Sequence, residues 1–173
     1  MSGPTSFLQR DRRVVLDTNV LVNAASDHEG AAPSLYADLA RAILGRCAKV
    51  VWGPAQANQA IIHLTHAGFR HFDKRFPVQI KLFRDLDEHK DRKLIRVEAS
   101  KIKPFSDEER KHFRAPGHQD VSDDASICEV ARSASAVVIT NDPYLLDRSR
   151  ALLNGVGVTI CGVHEALEDD PPT

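Results

Sequence analysis

Residues 136–142 read Ala136-Val137-Val138-Ile139-Thr140-Asn141-Asp142, an unbroken apolar run that ends on polar residues and a carboxylate. A short run rich in β-branched residues, with no polar alternation, marks a strand covered on both faces. Pro143 follows and cannot donate to a strand ladder, but suits the first turn of a helix. Near the other end of the chain the same pattern recurs as Val14-Val15-Leu16-Asp17-Thr18-Asn19. Each stretch predicts a buried strand that stops at an aspartate.

Between these two, strand and helix patterns alternate. Lys49-Val50-Val51-Trp52 reads as a strand, with Pro54 opening a helix behind it, and Leu94-Ile95-Arg96-Val97 and residues 156–161 read as further strands. Helix faces appear as Leu35, Leu39, Ile43 and Cys47; as Ala57, Ala60, Ile61 and Leu64; and as Ile127, Val130, Ala131 and Ala134. Residues 72–89 also read as helical, with Val78, Leu82, Phe83 and Leu86 inward and Pro77 as a break or start. Ser106 with Glu109 forms a capping-box pattern. Pro143 begins a helix that Asn154-Gly155 ends. This alternation predicts an α/β fold, a three-layer α/β/α sandwich around a mostly parallel sheet of about four or five strands.

A chain of 173 residues fits one domain, with a core over about 13–161, a basic helical insertion over about 69–114 and frayed ends. An apolar share of 42% and a charged share of 27% exclude collagen, coiled coil and extensive disorder. The net charge of −1 excludes a uniformly basic coat, but residues 69–114 carry fourteen Lys and Arg against nine Asp and Glu. Cys47, Cys128 and Cys161 form no CxxC pair, which argues against a disulfide framework or a zinc site and for the cytoplasm. The first residues show no apolar leader. Residues 50–69 lack charge, yet Gln56, Asn58, Gln59, His63 and His66 make them too polar to span a membrane.

In a parallel sheet the chemistry collects beyond the carboxyl ends of the strands. Asp17 and Asp142 are expected there, together with Asp123 or Asp124 from Ser122-Asp123-Asp124-Ala125-Ser126-Ile127, one of which serves as helix cap. Each acid alone also reads as an ordinary turn or helix cap. Together they form an all-oxygen carboxylate cluster, which selects a hard divalent ion, Mg²⁺ or Mn²⁺. Such an ion activates water and stabilises charge in phosphodiester hydrolysis.

The stretch Val14-Val15-Leu16-Asp17-Thr18-Asn19-Val20-Leu21-Val22 resembles the opening motif of the PIN domains, a family of metal-dependent nucleases. Asp124-Ala125-Ser126-Ile127 followed by Ala131 resembles that family's third-acid helix. Val138-Ile139-Thr140-Asn141-Asp142 with Leu145-Leu146 resembles its final acid motif. The resemblance covers about residues 13–161. It implies Mg²⁺- or Mn²⁺-dependent cleavage of RNA, with Asp17, Asp124 and Asp142 at the metal and Asp123 as an auxiliary acid or a cap. Thr18, Asn19, Thr140 and Asn141 would then orient ligands, water or phosphate. It extends to toxins of toxin–antitoxin pairs and to homodimers, so RNA, an antitoxin protein and a second copy of the chain are the expected partners.

The helix after the second strand departs from the family, which places an acid there. Here it reads Pro54-Ala55-Gln56-Ala57-Asn58-Gln59-Ala60-Ile61-Ile62-His63, with Gln59 at the acid's position and Asn58 one residue off. Gln56, Gln59, His63 and His66 share one helical stripe. It is either a polar strip toward the site, with His63 a lesser candidate ligand, or a solvent-facing side. An amide oxygen can face a metal or a phosphate but carries no charge. His118 and Asp120 precede the acidic pair and are read as loop residues within reach of the metal shell. In the basic segment, Arg70, Lys74, Arg75, Lys101 and Lys103 alternate with Phe72, Phe76 and Phe105, a composition suited to RNA or, equally, to a mixed-charge surface over core aromatics. The leading expectation is an endoribonuclease. The second is a binding module for RNA or protein on the same fold. The third is an aspartate-based phosphatase or sensor centred on Asp17, which lacks the second aspartate such enzymes need.

Overall fold

Five short strands form one sheet in the order β3-β2-β1-β4-β5, every neighbouring pair parallel. The structure, a computed structural model, describes residue 8 and residues 12–46, 48–113 and 121–168, except for the side chains at 112, 121–123, 148, 149 and 152. The strands are β1 (Arg13–Leu16), β2 (Lys49–Trp52), β3 (Leu94–Arg96), β4 (Ala136–Thr140) and β5 (Thr159–Gly162). The helices are α1 (Thr18–Gly30), α2 (Leu35–Gly45), α3 (Pro54–His66), α4 (Lys81–Asp87), α5 (Asp107–Arg110), α6 (Val121–Ser133), α7 (Arg150–Gly155) and α8 (Val163–Glu168).

Side chains alternate across a strand, and this alternation builds the layers. Val14, Leu16, Val50, Trp52, Val137 and Ile139 enter one core, roofed by α1, α2, α3, α4 and α8 through residues such as Leu21, Leu39, Leu64, Phe83 and Ala166. Val15, Val51, Val138 and Ile160 enter the other, against Ile127, Val130 and Ala131 of α6 together with Phe105, Phe113 and Leu153. The fold is therefore the expected three-layer α/β/α sandwich, with all five strands parallel.

Local chemistry sets the helix starts. Ser34 accepts the Ala37 N–H at 3.0 Å and caps α2. Ser106 and Glu109 exchange bonds of 3.2 and 2.8 Å in a capping box at α5. The helix expected over residues 72–89 is shorter, running Lys81–Asp87. Asp73 accepts the Arg75 N–H at 2.8 Å and holds a turn instead, and Pro77 precludes a helix running through it. The basic stretch is thus mostly turns around two short helices, and it contributes β3 to the sheet. After Pro143 the chain takes a π-helical path over Tyr144–Ser149 before α7. Leu8, in the stretch expected to fray, is fully buried.

The order matters for the site. From β1 the chain steps outward to β2 and then β3, and next returns to place β4 on the opposite side of β1. The crevice between β1 and β4 is the topological switch point, where the flanking connections diverge to opposite faces and leave space at the carboxyl ends.

Candidate functional site

Asp17 and Asp142 follow the two strands that flank this switch point. Asp17 is the N-cap of α1 and is only 8% exposed. Its Oδ1 accepts the Thr18 N–H at 2.7 Å, and its Oδ2 accepts the Thr140 hydroxyl at 2.7 Å. Burial raises the pKa of its carboxyl. The Thr140 and Thr18 bonds pull the other way, and the charge of Asp142 pushes up again. Thr140 is itself fully buried, and its oxygen accepts the Asp142 N–H at 3.0 Å. Asp142 Oδ1 accepts the Tyr144 N–H at 2.8 Å, so this acid also caps the turn behind it. Both aspartates therefore do the local capping that a plain reading assigns them, and they face one another electrostatically as well.

Thr18 turns its hydroxyl to Gln59, donating to Oε1 at 2.7 Å. Gln59, and not Asn58, is thus the α3 residue that reaches the carboxylate edge. Gln56 is buried at 1% exposure. Its Oε1 accepts the Gly53 N–H at 3.0 Å, and its Nε2 is buried without a hydrogen-bond partner. His63 and His66, on the same stripe, are exposed. The stripe therefore divides, with the glutamines inward and the histidines toward solvent.

Asp124 lies inside the second core's helix, partly buried, and because α6 already begins at Val121 neither Asp123 nor Asp124 stands at the cap position expected for one of them. Burial pushes the Cys128 thiol up, and the charges of Asp124, Asp17 and Glu129 add to that rise, so Asp124 and Asp17 both act on one buried sulfur. Asp123 lies in α6, its side chain outside the described residues, as are His118, Asp120 and Cys47. Asn19 is exposed. Asn141 is exposed too, and its Nδ2 donates to the Tyr36 hydroxyl at 2.7 Å. Tyr36 had no signal in the sequence: only the packing of α2 brings it to this edge.

Arg70, Lys74, Arg75, Lys101 and Lys103 are all exposed. The aromatics between them are drawn toward the core to different degrees. Phe105 is 4% exposed, and Phe72 and Phe76 pack against the first core. Nor does every cation face solvent: Lys93 is buried and donates to the carbonyls of Ile43 and Leu44, both at 2.7 Å, at the end of α2.

The donor set at the switch point consists of carboxylate, hydroxyl and amide oxygens, the chemistry of a hard divalent cation. Among the described residues no group of three or more His, Cys, Asp or Glu side chains is gathered closely enough to hold a metal. The coupled acids are a pair. Mg²⁺ is commonly held by one or two carboxylates with water and substrate phosphate completing the shell, which a pair can supply. Each Asp17 oxygen has a second lone pair beyond its protein donor.

No protein-family model, no curated protein and no solved structure matches the chain. Among the described residues no helix is long and apolar enough to cross a membrane.

Proposed function

We propose that the chain is a metal-dependent endoribonuclease of the PIN kind. The observation that supports this most directly is the placement of Asp17 and Asp142 at the ends of the two strands that flank the switch point, with Asp17 buried and Thr140 bonded both to its carboxylate and to the Asp142 N–H. Acids brought to one partly buried edge favour a cation beside them. Asp17 and Asp142 would hold Mg²⁺ or Mn²⁺ directly, with Asp124 from α6 reaching it only through water, and the ion when bound would supply an activated water and neutralise phosphate charge. Thr140 and the Thr18 N–H fix the Asp17 carboxylate in one rotamer. Thr18 and Gln59 present a hydroxyl and an amide to the same edge.

The test is RNA cleavage by purified protein in EDTA, Mg²⁺ or Mn²⁺, comparing wild type with Asp17→Asn and Asp124→Asn. Cleavage that needs metal and disappears in both variants is expected. Cleavage that survives both variants would sink the reading. A toxin role predicts growth arrest on expression, relieved by a neighbouring gene product.

A second reading, a binding module for RNA or protein, is favoured by one observation. The position where the resembled family carries its second acid is Gln59, already bonded to Thr18. Measurable RNA binding with no cleavage in either metal would establish it.

A further inference from the structure

At the carboxyl ends of β2 and β3 a cleft of about 650 Å³ opens beside the first turns of α3. Its cations are Arg75 and Arg96, opposed by one lining acid, Glu98. Arg75 is anchored through its backbone and Arg96 through a ring contact. Trp52 is 4% exposed, stands edge-on to Phe83 at 5.0 Å, and its indole N–H donates to the Arg75 carbonyl at 3.2 Å. That bond ties the 73–76 turn over the cleft. The next residue, Phe76, lies beneath the guanidinium of Arg96, 4.3 Å from its ring centroid. Among the described residues that guanidinium makes no hydrogen bond or ion pair. A guanidinium resting on a ring keeps its N–H edge open to an oxyanion. The Arg75 side chain is 89% exposed, with the Asp73 carboxylate 3.7 Å away.

We propose that this cleft holds a backbone phosphate of single-stranded RNA beside the carboxylate site. The proposal rests on the reading of RNA as substrate. Asn58 lines the cleft, and the next residue, Gln59, bonds Thr18 at the carboxylates, so α3 joins the two places. They lie on one sheet edge about two strand spacings apart, roughly 10 Å, within reach of a short stretch of one strand.

The experiment measures binding of a fluorescein-labelled single-stranded RNA by anisotropy in EDTA, so that binding is read apart from cleavage. Against wild type, Arg75→Ala/Arg96→Ala should bind roughly tenfold more weakly. Its salt slope should fall by about 0.7 for each phosphate that is no longer neutralised. Arg75→Lys/Arg96→Lys should recover part of the affinity, and duplex RNA should be insensitive to all these changes. Where the double variant melts early, Arg75→Ala alone carries the comparison, since that side chain is surface-exposed. Unchanged affinity and slope overturn the proposal. Displacement of the RNA by polyglutamate at equal charge also overturns it, because the cleft then selects any acidic chain. Weakened binding in a protein that never cleaves RNA keeps the cleft and sinks the nuclease. Metal-dependent cleavage with unchanged binding does the reverse.

Discussion

Thr140 and Asp17, 123 residues apart in the chain, share a 2.7 Å hydrogen bond that joins the ends of β4 and β1. The bond is buried, and it opposes the rise that burial imposes on the carboxyl. Thr140→Val keeps the shape and removes the donor. The Asp17 carboxyl is then left short of a partner, at a cost of about 1–3 kcal/mol. For a chain of this size each kcal/mol lowers Tm by roughly 2–4 °C. Thermal melts followed by circular dichroism check this, and the Asp17 pKa should rise further in the variant.

Asp17→Asn should change how stability depends on pH. A carboxyl raised in the folded state binds its proton more tightly folded than unfolded. Its stability is therefore greatest below the unfolded value and is lost as pH rises through the folded one. Asparagine carries no charge to bury beside Asp142. Its amide offers one acceptor where Thr18 and Thr140 both donate, which offsets part of that gain, so the Tm of the variant relative to wild type should be highest at pH 7 and should fall as pH falls toward 4. Metal-dependent cleavage should be lost in the same protein, a separation of stability from activity that melts and cleavage assays together would reveal.

Gln59→Glu places a carboxylate where Thr18 already donates to an oxygen. At about 4 Å and an effective dielectric near 20, one added charge is worth a few kcal/mol toward a cation. Without metal the variant should be less stable than wild type, through repulsion with Asp17. With Mn²⁺ its Tm should rise by more than that of wild type, and its apparent Kd for Mn²⁺ should tighten at least roughly tenfold. Titration of Tm against Mn²⁺ reads both effects.

Gly53 has a steric role at the start of α3. A Cβ there would stand 2.9 Å from Val130 Cγ1 and 3.0 Å from Cγ2, across the α3–α6 contact. Gly53→Ala should cost about 1–3 kcal/mol by overpacking. Because α3 carries Gln59 and α6 carries Asp124, the shift should also weaken metal-dependent cleavage. Denaturant melts and the cleavage assay provide the check.

Asp17 and Asp142 were legible because a short β-branched run and the residue that ends it are local features. Pro54 and the Ser106–Glu109 box were legible for the same reason. Residues 72–80 misled, because apolar spacing there resembles a helix while Asp73 and Pro77 favour turns. Phe72, Phe76 and Phe105 looked available for base stacking because composition does not say which face of a loop meets the core. Tyr36 beside Asn141, Arg96 on Phe76 and Trp52 under Arg75 left no trace in the sequence at all.

The sequence alone determined that buried strands alternate with helices and that two of them end on aspartates, since backbone preference and hydrophobic period act over a few residues. Strand order was decided only in three dimensions. Setting β4 beside β1 requires long crossovers whose closure no local pattern encodes, and it is the packing of two cores on opposite faces of one sheet that brings Asp142 to Asp17.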